Sequence, residues 1–215
     1  MNNILKITLS SALGLMLLSS PGYSTASSSS RSDAALLLRI KIGTADLQKL
    51  AGANLRAADL IAANLEKANL EGAYLVNAAL QRVNLVEANL TNARLHGANL
   101  TRANLEKATL FRAELPDANL HAANLRNANL EGANLHNATL TNASLYGADL
   151  RGASLVFADL NNANLAGADL EGAKLMNAHL KGVKGLDKAL NLDKAIGFDK
   201  VTGLGPEHES LIPKH

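Results

Sequence analysis

The 215-residue chain contains no cysteine and no tryptophan, and aromatic residues make up only 3% of it. Without cysteine there are no disulfides, no thiolate metal sites and no cysteine nucleophile. So few rings exclude a core of large interlocking aromatics. A surplus of one charge is missing as well: the formal net charge is +2, and residues 53–182 carry eleven basic and twelve acidic side chains. Such a balance argues against both a nucleic-acid-binding stripe and an acidic mimic of nucleic acid. Motifs of chemistry are also absent. There is no G-x-S-x-G elbow, no G-x-x-x-x-G-K-[ST] loop and no G-x-G-x-x-G after a strand.

What is present is leucine and alanine, which supply most of the 47% hydrophobic content. From Leu55 to Leu180 every fifth residue is leucine, twenty-six in succession. Two residues before each stands alanine, from Ala53 to Ala178, with Val83 the one exception. The residue between is Asn in twelve repeats and Asp in four (Asp59, Asp149, Asp159 and Asp169). The unit is Ala-Asn/Asp-Leu-x-x, with mostly polar or small residues at x.

That period decides between backbones. On an α-helix five residues advance about 500°, so successive leucines would spiral around the rod with no apolar stripe. On a straight strand the side-chain period is two, and an odd spacing turns every second leucine toward water. One turn per repeat removes both problems: Ala and Leu share an inward face and Asn lies outward between them. The chain must therefore coil, with one short side per repeat. The number of sides is left open by this reasoning.

The tandem A-[N/D]-L-x-x motif resembles the pentapeptide-repeat family over about 130 residues. The resemblance implies an all-β solenoid, a right-handed four-sided parallel β-helix with twenty residues per coil. Twenty-six repeats would give about 6.5 coils and a rod roughly 31 Å long. With that period Glu131, Arg151 and Glu171 stack in one outward column, and Lys67, Glu87 and Lys107 in another. Alternating signs suit a stacked surface, and a fifteen-residue coil breaks both columns. Exported cyanobacterial members of the family often carry a Cys-x-x-Cys-Asp-Leu segment before the repeats. Here Ile42 and Ala45 stand at the cysteine positions, so any redox role is absent.

The flanks divide the chain further. Residues 1–26 read as a signal peptide: Lys6 ends a short n-region, Ile7 to Leu18 is apolar, and Ser24-Thr25-Ala26 offers small residues for cleavage. The apolar stretch is too short to remain as a stable membrane anchor. Residues 27–43 form a serine-rich lead-in and a short N-terminal capping α-helix from about Ala34 to Lys41, stopped near Gly43. The repeat region covers residues 44–182, although Leu47, eight residues before Leu55, lies out of register with it. Residues 183–202 repeat every six residues as Leu/Phe-Asp-Lys-Ala/Val and form a C-terminal capping segment. Residues 203–215, with Pro206 and Pro213, read as a mobile tail.

The remaining residues point to surfaces. His96 and His136 would lie two coils apart, too far for one zinc ion. Asp149 and Asp169 would be neighbours, but a convex rod offers no cleft to tune a catalytic pair. No catalytic, metal or cofactor site is expected. Val156, Phe157 and Met176 fall on one face in consecutive coils and form the candidate partner contact. The expected function is non-catalytic: a structural or protein-interaction module outside the cytoplasm, in the periplasm or, in a cyanobacterium, the thylakoid lumen. Its partner is then another protein and not nucleic acid. The alternative implied by the resemblance is a gyrase-binding DNA mimic. Such a mimic is acidic and cytoplasmic, and this chain departs on both counts.

Overall fold

The structure, a computed structural model, describes Leu37, Ile40, Lys41, Gly43 and residues 46–211. The segment read as a signal peptide and most of the predicted N-terminal helix lie outside the described residues. Through the pentapeptide region each bridging residue pairs in parallel with the residue twenty positions on, from Asn54 with Tyr74 to Asn164 with Lys184. Four turns separate such partners, so every coil has four sides. Each side holds one bridging residue and no longer strand, because a turn every five residues leaves nothing more to pair.

The repeat at residues 103–107 shows how completely this geometry uses the backbone. The Ala103 N–H closes the turn onto the Leu100 carbonyl at 2.9 Å. Asn104 donates down to Val83 at 2.9 Å, Leu105 donates up to Asn124 at 2.7 Å, and Lys107 donates up to Arg126 at 2.9 Å. The fifth donor, Glu106 N–H, goes to the Asn104 side-chain oxygen at 3.3 Å. Every N–H of the unit has a partner, which is what burial beside an apolar core demands. The Asn or Asp of the motif is thus a backbone substitute, accepting from the residue two places on. Where Glu114 takes that place, the residue needing an acceptor is Pro116, which has no N–H to satisfy and suits the second position of the turn.

Asn and Asp tolerate unusual backbone angles, but at the bridging position they are not called on to do so. The unusual angle lies elsewhere. The last residue of every repeat adopts positive φ, whether Gly152 (63°), Asn142 (60°) or Lys107 (56°), as the third position of a type II turn requires.

The core is a stack of Leu and Ala side chains. Leu105 and its counterparts are 0–1% exposed, and the alanines are nearly as dry. The register begins one repeat earlier than the leucine series suggests. Leu50 is fully buried, the Ala51–Gly52 turn follows it, and Gly52 N–H donates to the Glu71 carbonyl. Gln48 and Lys49 replace Ala and Asn there, so the motif is hidden while the packing persists. Farther toward the N-terminus, Leu37, Ile40 and Lys41 are helical. Ile40 is buried in the core, Gly43 donates back to Ile40 with φ of 72°, and Lys41 bonds Asp59 at 2.7 Å.

At the other end the six-residue units stack on the last pentapeptide coil. The bridge interval grows from twenty to twenty-three: Asn164 with Lys184, Asp169 with Leu190, Lys174 with Ile196, and His179 with Thr202. The added residue in each unit is a left-handed Gly185, Asn191 or Gly197, followed by a 3-10 turn at Leu186–Lys188, Leu192–Lys194 or Phe198–Lys200. Leu186 and Phe198 replace the core leucines. Gly185 is needed twice over, since a Cβ there would sit 2.5 Å from that of Ala166. Pro206–Leu211, within the stretch read as a mobile tail, form a further 3-10 helix. His208 is buried within it, and Leu211 packs on the core.

Candidate functional site

The structure brings Val156, Phe157 and Met176 together. Val156 and Met176 occupy the same turn position in consecutive coils, and the Phe157 N–H donates to the Met176 carbonyl at 3.0 Å. Phe157 is 48% exposed, while Val156 and Met176 are half-buried. Gly197 of the closing coil lies so near Met176 that a Cβ there would collide with it, and Ile196 beside it is exposed. The Phe157 ring meets His136 edge-on, with centroids 5.6 Å apart. Phe157 also has φ of 60°, where the same column holds Asn137 and Asn177. A bulky residue is strained there, and an exposed one gains little burial in return.

The titratable groups are dispersed or already occupied. His121 and His179 bond Thr141 and Thr202, each at 2.6 Å, and His96 lies 3.4 Å from Asp117. Among the described residues no three His, Asp or Glu side chains converge on a metal-sized point. Asp149 is gripped by Arg151 at 2.7 and 2.8 Å, and that hydrogen-bonded guanidinium holds its carboxyl below the ordinary range. Arg151 also reaches Glu131 at 2.8 Å, and its own pKa is raised, chiefly by Asp149. Asp169 accepts from Asn191 and Glu171, and so does not share a proton site with Asp149. Of the two stacked charge columns, Lys67–Glu87 and Glu131–Arg151 close as pairs, whereas Glu171 turns to Lys194.

The fold separates charges that the linear sum conceals. The turn residues after Leu60, Leu80 and so on to Leu180 include Arg82, Arg102 and Lys181, with no Asp or Glu among them. The edge after Leu70, Leu90 and onward carries Glu71, Glu131 and Glu171 against Arg112 and Arg151. Summing charge over residues 53–182 does not separate the edges. The signal was available only by sorting residues at the twenty-residue period.

The profile described as pentapeptide repeats, in eight copies, matches residues 48–75, 73–112, 88–126, 118–155 and 143–182. No curated protein matches the chain. Among solved structures, a pentapeptide-repeat protein of the Arabidopsis thaliana thylakoid lumen is 39% identical over 41% of this chain and 61% of its own, with a TM-score of 0.40. The chain thus spans less than two thirds of that protein. HetL of Nostoc sp. strain PCC 7120, involved in heterocyst differentiation regulation, is 30% identical over 66% of this chain and 78% of its own, with a TM-score of 0.30. QnrB1, a plasmid-mediated fluoroquinolone resistance protein, is 16% identical over 78% and 90% respectively, with a TM-score of 0.47. Pentapeptide-repeat proteins wind as right-handed β-helix solenoids and are generally structural or interaction proteins, and with the repeat profile covering most of its length this chain belongs to the pentapeptide-repeat family.

Proposed function

We propose that the chain is a non-catalytic protein-interaction module that works outside the cytoplasm and meets its partner through Val156, Phe157 and Met176. The observation that carries this reading is Phe157, an exposed aromatic kept in a left-handed conformation between Asn137 and Asn177. The left-handed φ belongs to every repeat; what sets Phe157 apart is an exposed ring at that position, and an aromatic anchor flanked by half-buried apolar side chains suits a binding hot spot. The interior supports the same reading: Leu and Ala fill it, leaving the outer faces to act.

Export rests on the apolar Ile7–Leu18 segment and the Ser24-Thr25-Ala26 site. Among the described residues no helix is long and apolar enough to cross a membrane. A mature N-terminus near Ser27 in protein taken from cells is the expected result. An intact Met1 in a cytoplasmic pool would end the export reading. For the patch, the variant is Val156→Ser with Phe157→Asn and Met176→Ser, Asn being chosen because its neighbours in the column are Asn. A partner from the native compartment that crosslinks to the native chain should be lost by this variant, with folding intact. Undiminished crosslinking would remove the patch, and reproducible turnover of any substrate would remove the module reading itself.

A further inference from the structure

We infer that residues 212–215, Ile-Pro-Lys-His, fold back over the closing coil and fill a groove beside the Pro206–Leu211 helix. Ile212 lies against Leu192, and Lys214 between Asp187 and Asp193. The inference does not depend on the Val156–Phe157–Met176 contact.

The groove marks the one weak place in the closing coil. The residue that heads each 3-10 turn there stands where the coils below hold a core leucine. Leu186 and Phe198 are buried as such a residue should be, whereas Leu192 is only half-buried. Beside it opens a groove lined by the apolar Leu186, Ala189, Leu192 and Leu211 and by the exposed Asp187 and Asp193. Covering apolar surface of this kind is favourable. Neither carboxylate enters an ion pair among the described residues, and Lys194, next to Asp193, is turned to Glu171 at 3.0 Å.

The chain itself supplies an occupant of matching chemistry. Leu211 lines the groove, and its helix packs beside the Leu186–Lys188 turn, so the next residue starts at the groove's edge. Pro213 cannot continue the helix and disfavours helical backbone at Ile212. The chain therefore leaves Leu211 extended. Four extended residues reach about 13 Å at most, which restricts them to a site bordering Leu211, as this one does. On extended backbone alternate residues share a side. Ile212 and Lys214 thus face the coil together, an apolar side chain for Leu192 and a cation for the two carboxylates. The chain before Leu37 joins the opposite end of the rod, where Lys41 bonds Asp59.

The test is hydrogen exchange at residues 186–195, read by mass spectrometry in the full chain and its variants. Ending the chain after Leu211 should hasten exchange there about tenfold and leave residues 103–107 unchanged. Lys214→Gln should hasten it about threefold, as should Asp187→Asn with Asp193→Asn, in keeping with an exposed ion pair. Combining the three substitutions should add nothing further, because they remove one interaction. The absence of cysteine permits a second readout. Under mild oxidation, Ile212→Cys with Ala189→Cys should give a disulfide within one chain. Ile212→Cys with Lys200→Cys, on a different turn, should not. The inference is overturned by unchanged exchange after truncation, by additive effects of the charge variants, or by equal coupling at Ala189 and Lys200. Disulfide-linked dimers in place of the single-chain link would overturn it too, and make a second copy the occupant.

Discussion

Leu105 and Lys107 stand two residues apart in one repeat and face opposite environments. Leu105 is fully buried among leucines and alanines, while Lys107 is exposed. Leu105→Ala is expected to cost about 2–5 kcal/mol, the transfer energy of the lost methyls plus the cavity they leave. Lys107→Ala should change stability by less than about 0.5 kcal/mol. Urea unfolding of both variants checks the pair, and comparable losses would refute the inward and outward assignments. Phe157 offers a sharper contrast at the same scale. Phe157→Asn removes the ring contact with His136, worth about 0.5–1.5 kcal/mol, and relieves a left-handed conformation costing about 1–2 kcal/mol. The net change should stay within about 1 kcal/mol. A loss above about 2 kcal/mol in the same assay would mark Phe157 as a packing residue and not a contact.

Within a single coil, the elements are turns joined by one bridging residue, and their surface charges belong to specific turns. Asp149 and Arg151 belong to adjacent parts of one such turn, with Glu131 in the coil below. Because the Asp149 carboxyl titrates below its ordinary value of 3.8, its contribution is fully present above that pH. It is lost as pH falls through the lowered folded value. Arg151→Gln should therefore lower the urea midpoint modestly at pH 7, as exposed pairs contribute little. The difference from the native chain should vanish once the carboxylates are protonated in acid. A gap that persists unchanged in acid would mean that Arg151 acts by packing. At this scale the sequence was most readable. An unbroken five-residue period settles which side chains face inward, and the alanine and leucine positions follow from it. The left-handed third turn position was not readable, because Lys67, Arg82, Glu87 and Phe157 occupy it alongside Gly and Asn and no residue type marks it. Leu50 was missed because Gln48 and Lys49 obscure its motif. The grouping of Val156, Phe157 and Met176 was legible as a column, whereas the edge-on contact between Phe157 and His136 depends on side-chain packing that no spacing reveals.

The assembled rod has two ends, and each presents the unpaired backbone of a coil unless something covers it. At the C-terminal end the ladder continues into the six-residue units. Leu165 donates to Lys184, Leu170 to Leu190, Leu175 to Ile196 and Leu180 to Thr202. Leu186 and Phe198 carry the apolar column one coil further, and the Pro206–Leu211 helix adds Leu211 against the core. Residues 183–211 thus stack on the last pentapeptide coil through turns longer than those of the pentapeptide frame. Ending the chain after Gly182 would strip those acceptors from four leucine N–H groups and expose Leu165, Leu170, Leu175 and Leu180 at an open edge. Such an edge pairs readily with another chain. The truncated protein is expected to form dimers or larger species by size-exclusion chromatography with light scattering. Its melting temperature should also fall relative to the full chain, because the last pentapeptide coil loses a neighbour on one side. The two readouts answer different questions: self-association reports the exposed edge, and melting reports the lost packing. A truncated chain that stayed monomeric and melted unchanged would show that residues 183–215 are an appendage and that the pentapeptide coils close themselves.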